Sequence, residues 1–179
     1  ITNKNIIEIN GTHLIGYTIA TSLAAQKELN DCEVIVSTDS EKIREISLNY
    51  GANVPFLRNK SISGDLSPSS EYINHAIDYF EKIDKSFQNI VILQPTSPLR
   101  TKEDIISSIN LFDKHNEETL ISAYVENHLN DKATYNLEGL YGKPNSVNHG
   151  SGGRRQDDET IVVRNGAIYI FSVSFFKKE

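Results

Sequence analysis

Asn89-Ile90-Val91-Ile92-Leu93 runs directly into Gln94-Pro95-Thr96-Ser97-Pro98-Leu99-Arg100. The first five residues are almost wholly apolar, as expected of a strand whose sheet is covered by helices on both faces. The next seven are polar and turn-forming, with Pro95 and Pro98 stiffening the loop. From Lys102 to His115 the apolar residues Ile105, Ile106, Ile109 and Phe112 then share one helical stripe. The unit is therefore strand, polar loop, helix.

The same unit recurs on both sides. Upstream, Glu33-Val34-Ile35-Val36-Ser37 reads as a short strand, Ser37-Thr38-Asp39-Ser40 as a turn, and Glu41 to Tyr50 as a helix stopped by Gly51. Asn53 to Leu57 reads as a further strand, and from Ser69 onward Ile73, Ala76, Ile77 and Phe80 form another helical stripe. Downstream, Thr119 to Val125 is the next strand. Alternating strands and helices with short connections predict an α/β protein with a mostly parallel, twisted sheet covered by helices on both faces, three layers in all. Ligands of such sheets bind beyond the carboxyl ends of the strands. The polar segments do follow strands: Ser37 to Ser40, then Arg58 with the hydroxyl-rich Ser61 to Ser70, then Gln94 to Arg100. Each serine of the second segment, taken singly, serves equally well as a turn or helix-cap residue.

Between Glu126 and Asp158 periodicity fades, marking a long functional loop or an excursion from the core. The strand signal returns at Thr160 to Phe171. Within it, Asn165-Gly166 lies between apolar runs and reads locally as a hairpin turn, because both residues tolerate positive φ.

Composition removes several classes of function. A net charge of −6 argues against a general nucleic-acid or anionic-membrane binder. No apolar run reaches the roughly 20 residues of a transmembrane helix, and no secretory leader is recognisable. One cysteine, Cys32, cannot form an internal disulfide, which excludes a disulfide-stapled scaffold and permits the cytoplasmic setting expected here. With Ile1 first and no Met in the chain, the natural start is expected to lie upstream. No Walker A loop, dinucleotide fingerprint or zinc spacing is present, and His75, His128 and His149 have no evident nucleophilic partner. Polar loops after strands plus the scattered bases Lys4, Arg58, Arg100, Lys132, Arg154, Arg155 and Arg164 suit phosphate chemistry. Such chemistry depends on positioning and charge stabilisation, with no protein nucleophile.

Lys4-Asn5-Ile6, Ile9-Asn10-Gly11, Val36-Ser37-Thr38-Asp39, Leu93 to Arg100, Arg154-Arg155-Gln156-Asp157 and Asn165-Gly166-Ala167-Ile168-Tyr169-Ile170 together resemble the acylneuraminate cytidylyltransferases, also called CMP-sialic acid synthetases. The string LQPTSPLR is the most specific of these. The resemblance implies a Rossmann-like nucleotidyltransferase fold and transfer of CMP from CTP to the anomeric hydroxyl of a sialic-acid-like nonulosonic acid, with release of pyrophosphate. It also implies Mg2+ or another divalent cation, with metal ligands unknown, and no nucleic-acid or membrane partner. By position, Lys4 and Asn5 resemble the family's triphosphate and nucleotide contacts, and Arg58 with Ser67 and Ser69 its cytosine loop. Gln94, Lys132, Arg155 and Asn165 resemble the sugar contacts. Lys4, Gln94 and Arg155 are the candidates for the catalytic centre.

On this resemblance residues 1–179 form one nucleotidyltransferase domain, and residues 126–158 are a dimerisation and sugar-site excursion of a homodimer. The family's opening strand and triphosphate loop, and its closing acidic segment, are expected to lie outside the sequence. Two other readings stand beside this one. The first is a non-catalytic sugar-nucleotide binding module of the same fold; the second is a cytidylyltransferase for an eight-carbon 2-keto-3-deoxy sugar acid. Which nonulosonic acid is used is not written in these motifs.

Overall fold

A computed structural model describes residues 3–64, 66–115, 117–126, 134–139, 141–144 and 161–178. The chain divides into two compact units, one of residues 1–121 with 166–179 and the other of residues 122–165.

In the first unit a single-turn 3-10 helix at Lys4–Ile6 leads into the two-residue strands β1 (Glu8–Ile9) and β2 (Thr12–His13), which pair antiparallel. Helix α1 (Leu14–Gln26) follows, then α2 (Glu41–Asn49), α3 (Ser69–Glu81), β3 (Asn89–Ile92), α4 (Lys102–His115) and β4 (Thr119–Glu126). Strands β5 (Tyr135–Glu138) and β6 (Tyr141–Pro144) form an antiparallel pair in the second unit. Strand β7 (Ile161–Ser172) and the short helix α5 (Val173–Phe176) close the chain. The main sheet has the order β3-β7-β4.

The expected α/β class stands, and the sheet is mixed. Parallel pairing is carried by single bridges between Ile35 and Asn53 and between Thr38 and Leu57, where the sequence predicts two full strands. Strands β3 and β7 pair antiparallel, with Val91 opposite Ile170 and Ile92 opposite Tyr169.

The Asn165-Gly166 turn is corrected. Strand β7 runs unbroken from Ile161 to Ser172 with Gly166 inside it at φ +74°. Glycine accepts that backbone without a Cβ penalty, so the pair introduces a local irregularity in a strand and does not reverse the chain.

Two apolar clusters hold the first unit. Ala25 from α1, Ile105 and Phe112 from α4, and Ile168 and Ile170 from β7 form one, with Val91 and Leu93 packed against it. Ile15, Ile19 and Ala52 form the other, against Val36, Ile43, Ile46 and Tyr50. Helix α1 is shared by both clusters. Gly16 lets the Tyr50 ring lie on that helix, since a Cβ there would fall 2.6 Å from a ring carbon. The Tyr50 hydroxyl fixes the ring by accepting from the His13 amide at 3.0 Å.

Candidate functional site

The first polar loop is built where Arg58 meets Thr38. The Arg58 amide donates to the Thr38 carbonyl at 2.8 Å, which brings Ser37–Ser40 and Arg58 side by side. Ser40 caps α2 by accepting from the Ile43 amide at 3.3 Å, so the loop's end is fixed by the helix it starts. The Arg58 guanidinium lies 5.4 Å from the centre of the Tyr72 ring on α3. Its Nη2 reaches Asp39 Oδ1 only at 3.5 Å, and Asp39 is 40% exposed, so this pair is weak. The Nε of Arg58 is buried with no hydrogen-bond partner, and so is Ser37 Oγ. Buried polar atoms normally find partners, so the pair marks a place suited to a ligand atom.

Lys4 and Asn5 sit on the opening 3-10 turn, which lies against α1 and α2. Lys4 is exposed, and Asn5 is half-buried with its Oδ1 buried and unpaired. Ser67 closes its own turn: its Oγ accepts from the Gly64 amide at 3.2 Å while its amide donates to the Gly64 carbonyl at 3.0 Å. The hydroxyl proton of Ser67 is left to donate elsewhere. Ser69 is the exposed first residue of α3, and Pro68 holds the N-cap position, so neither serine caps that helix.

The second polar loop follows β3 and is closed on itself. The Ser97 amide donates to the Gln94 carbonyl and the Arg100 amide to the Ser97 carbonyl, both at 3.3 Å. Arg100 is only 7% exposed. Its Nη2 donates to the Gln94 carbonyl at 2.7 Å and its Nε to the Ala167 carbonyl of β7 at 3.0 Å. Burial pulls its pKa down, an effect offset in part by the Asp104 carboxylate. A guanidinium keeps its charge through such a shift. Gln94 is exposed, and a Cβ at Gly166 would meet its Oε1 at 3.2 Å. Helix α4 then starts with a reciprocal cap: the Thr101 amide donates to Asp104 Oδ2 at 2.8 Å, and the Asp104 amide donates to Thr101 Oγ1 at 3.1 Å.

Asn165 belongs to the second unit, where its Oδ1 accepts from the Ser122 hydroxyl at 2.6 Å. Lys132, Arg154 and Arg155 lie outside the described residues. The sequence alone does not single out Tyr72, Arg100 or Gly166 for the roles they take. Tyr72 has no signal beyond its place on a helix, and the sequence marks Arg100 only as the end of a proline-bearing turn, not as a residue that bonds two carbonyls. Among the described residues no three His, Cys, Asp or Glu side chains gather as a metal cage. Asp39 is the one described carboxylate in the loops 37–40, 58–67 and 94–100, and it faces Arg58.

Comparison with known proteins fits this arrangement. A family model described as cytidylyltransferase matches residues 1–149. A pseudaminic acid cytidylyltransferase of Campylobacter jejuni is 32% identical over 123 residues, 69% of this chain and 52% of the relative. An N-acylneuraminate cytidylyltransferase of Streptococcus agalactiae is 30% identical over 178 residues, 99% of this chain and 41% of the relative. The chain thus spans about half the length of these curated relatives. In fold it is similar to a solved CMP:2-keto-3-deoxy-manno-octonic acid synthetase complexed with CTP, with a TM-score of 0.67 at 13% identity over 99% of this chain and 70% of that one. Sequence motifs, the family match and the α/β fold agree, and the chain belongs to the cytidylyltransferase family.

Proposed function

We propose that the protein transfers CMP from CTP to the anomeric hydroxyl of a sialic-acid-like nonulosonic acid and releases pyrophosphate. The observation that carries this reading is the set of buried, unpaired polar atoms at the family's nucleotide motifs: Asn5 Oδ1, Ser37 Oγ and Arg58 Nε. Each is a hydrogen-bonding group taken from water without a protein partner, a cost that a bound nucleotide would offset. Arg58, held on Tyr72, reads the base, and Ser67 and Ser69 supply further hydroxyls. Lys4 offsets triphosphate charge. Gln94 faces the sugar, and Arg155 with Lys132 grips its carboxylate, a guanidinium being able to donate two parallel hydrogen bonds. Asn165 adds a sugar contact.

The reaction needs no covalent enzyme intermediate. The sugar hydroxyl attacks the α-phosphorus, the bond from that phosphorus to the bridging oxygen breaks, and pyrophosphate carries the charge away. A magnesium ion bound to the triphosphate would neutralise charge there, and such ions use one or two carboxylates plus phosphate oxygens and water. The described residues do not by themselves build its site. CTP as substrate supports a cytoplasmic setting. The second unit, with its exposed apolar hairpin, supports a homodimer.

The test is pyrophosphate release by the full-length protein with CTP, Mg2+ and, in turn, N-acetylneuraminic, legionaminic and pseudaminic acids. Release with one of these sugars, far faster with CTP than with UTP, is expected. A folded full-length protein that releases none with any sugar overturns the reading in favour of a binding module.

A further inference from the structure

We infer that Arg100 is a positioning residue: its buried guanidinium fixes Gln94 for the sugar by clamping the loop after β3 onto β7. The inference rests on the reading of Gln94 as a sugar contact.

The geometry behind it is local and specific. Arg100 spans 67 residues of sequence to reach Ala167 and six to reach Gln94, using two different nitrogens of one rigid fork. The loop's own hydrogen bonds, both at 3.3 Å, are long and close it only on itself. The Arg100 pair ties the loop to the neighbouring strand. The preceding residue of β7, Gly166, lies beside the Gln94 side chain, whose Oε1 a Cβ there would meet at 3.2 Å, so the same strand lies against both the backbone and the side chain of Gln94. An arginine at 7% exposure is otherwise an expensive choice for a loop, the more so because its Nη1 is buried without a hydrogen-bond partner and only Nε and Nη2 are satisfied. An apolar side chain would fill the space at lower cost. The two carbonyls explain the choice: a planar fork can donate to both at once, and an ammonium on a flexible stem cannot hold both in fixed geometry. Small displacements of a positioning group cost on the order of a hundredfold in rate.

Arg100→Lys, Gln94→Ala and the double variant of the full-length protein test this by steady-state kinetics, and hydrogen exchange reads the loop directly. In a folded Arg100→Lys protein the amides of Ser97 and of position 100 should exchange faster while the α4 interior is unchanged. Its kcat/KM for the sugar should fall about tenfold or more, with KM for CTP within about twofold. The double variant should lose no more than the worse single one, because both changes act through the same group. Unchanged exchange in the loop overturns the clamp. Losses that multiply in the double variant, or normal sugar kinetics in Arg100→Lys beside a defective Gln94→Ala, overturn the positioning role. Normal sugar kinetics in Gln94→Ala, with exchange still loosened in Arg100→Lys, instead removes Gln94 from the sugar site. In that case the clamp remains, and its proposed purpose falls.

Discussion

At the scale of single residues, the clearest constraint is Gly166. Its φ of +74° is a conformation that an L side chain occupies at a cost of about 1–2 kcal/mol. Replacing it by alanine also stiffens the unfolded chain, which returns roughly 0.4–1 kcal/mol. Strain outweighs that gain, so Gly166→Ala should destabilise by about 1 kcal/mol, a fall in Tm of about 2–4 °C for a domain of this size. Gly51, with φ +83° and only an ordinary contact to Leu23 at 3.6 Å, carries similar strain away from the loop. It is the control. Thermal melts should place the two alanine variants close together, whereas only Gly166→Ala should raise the sugar KM, since only there would a methyl group push Gln94. Equal sugar KM values in both variants would detach Gln94 from that strand. At this scale Arg58 and Gln94 can be picked out as candidates because they follow strand signals, and Lys4 and Asn5 only through the family resemblance; the roles of all four belong to the proposal. The role of Arg100 is hidden for a physical reason: its partners are backbone carbonyls, which have no residue signature, and one of them is 67 positions away.

At the scale of elements, helices with an apolar stripe are legible and α1 is not. Its buried face includes Thr18 and Ser22, polar by type, yet the Ser22 hydroxyl is satisfied by donating to the Thr18 carbonyl at 2.7 Å. Local back-bonding of this kind lets a hydroxyl pass for an apolar residue, and the periodicity is masked. The centre of strand β7 misleads because Asn-Gly favours a turn when judged locally. Strand β7 lies between β3 and β4 in the sheet, and neighbours on both sides favour an extended backbone over a reversal. The start of α4 shows the opposite case, in which the cap is written in sequence as Thr101-x-x-Asp104. Hydrogen bonds from the Thr101 amide and hydroxyl hold the Asp104 carboxyl below its ordinary pKa of 3.8. A carboxyl whose folded pKa is depressed adds stability above its unfolded pKa and loses it as pH falls through the folded value. Asp104 is exposed, so its charge at the helix start is worth only about 0.3–1 kcal/mol, less in salt. Asp104→Asn should therefore be slightly less stable than wild type near neutrality, with the difference closing below about pH 3.8. Denaturant midpoints measured from pH 7 down to pH 3 check this. A gap that persists unchanged at pH 3 would mean that the charge contributes nothing.

At the scale of the molecule, the second compact unit covers residues 122–165, whereas the sequence loses its periodicity only between Glu126 and Asp158. The first unit has two buried clusters and owes its order to them. Among its described residues the second unit has no buried apolar side chain, and its β5–β6 hairpin exposes Leu137 at 81%, Tyr141 at 81% and Tyr135 at 55%. Isolated two-stranded hairpins are marginal in water, and large apolar side chains at such exposure on successive strands are costly unless something covers them. A second copy of the chain is the occupant that the proposed homodimer supplies, and a two-fold axis would let one hairpin serve both protomers in the same way. Leu137→Glu then places a charge in the covered surface without touching Arg58, Gln94 or Arg100. Sedimentation at micromolar concentration should show a dimer for the full-length wild type and a shift to monomer for Leu137→Glu, with the melting of the first unit little changed. If the hairpin of one protomer also completes the other's sugar site, the monomeric variant should lose sugar turnover while still binding CTP. A wild-type monomer with full activity would remove the dimer from the proposal altogether, and a Leu137→Glu protein that stays dimeric would move the interface away from this hairpin.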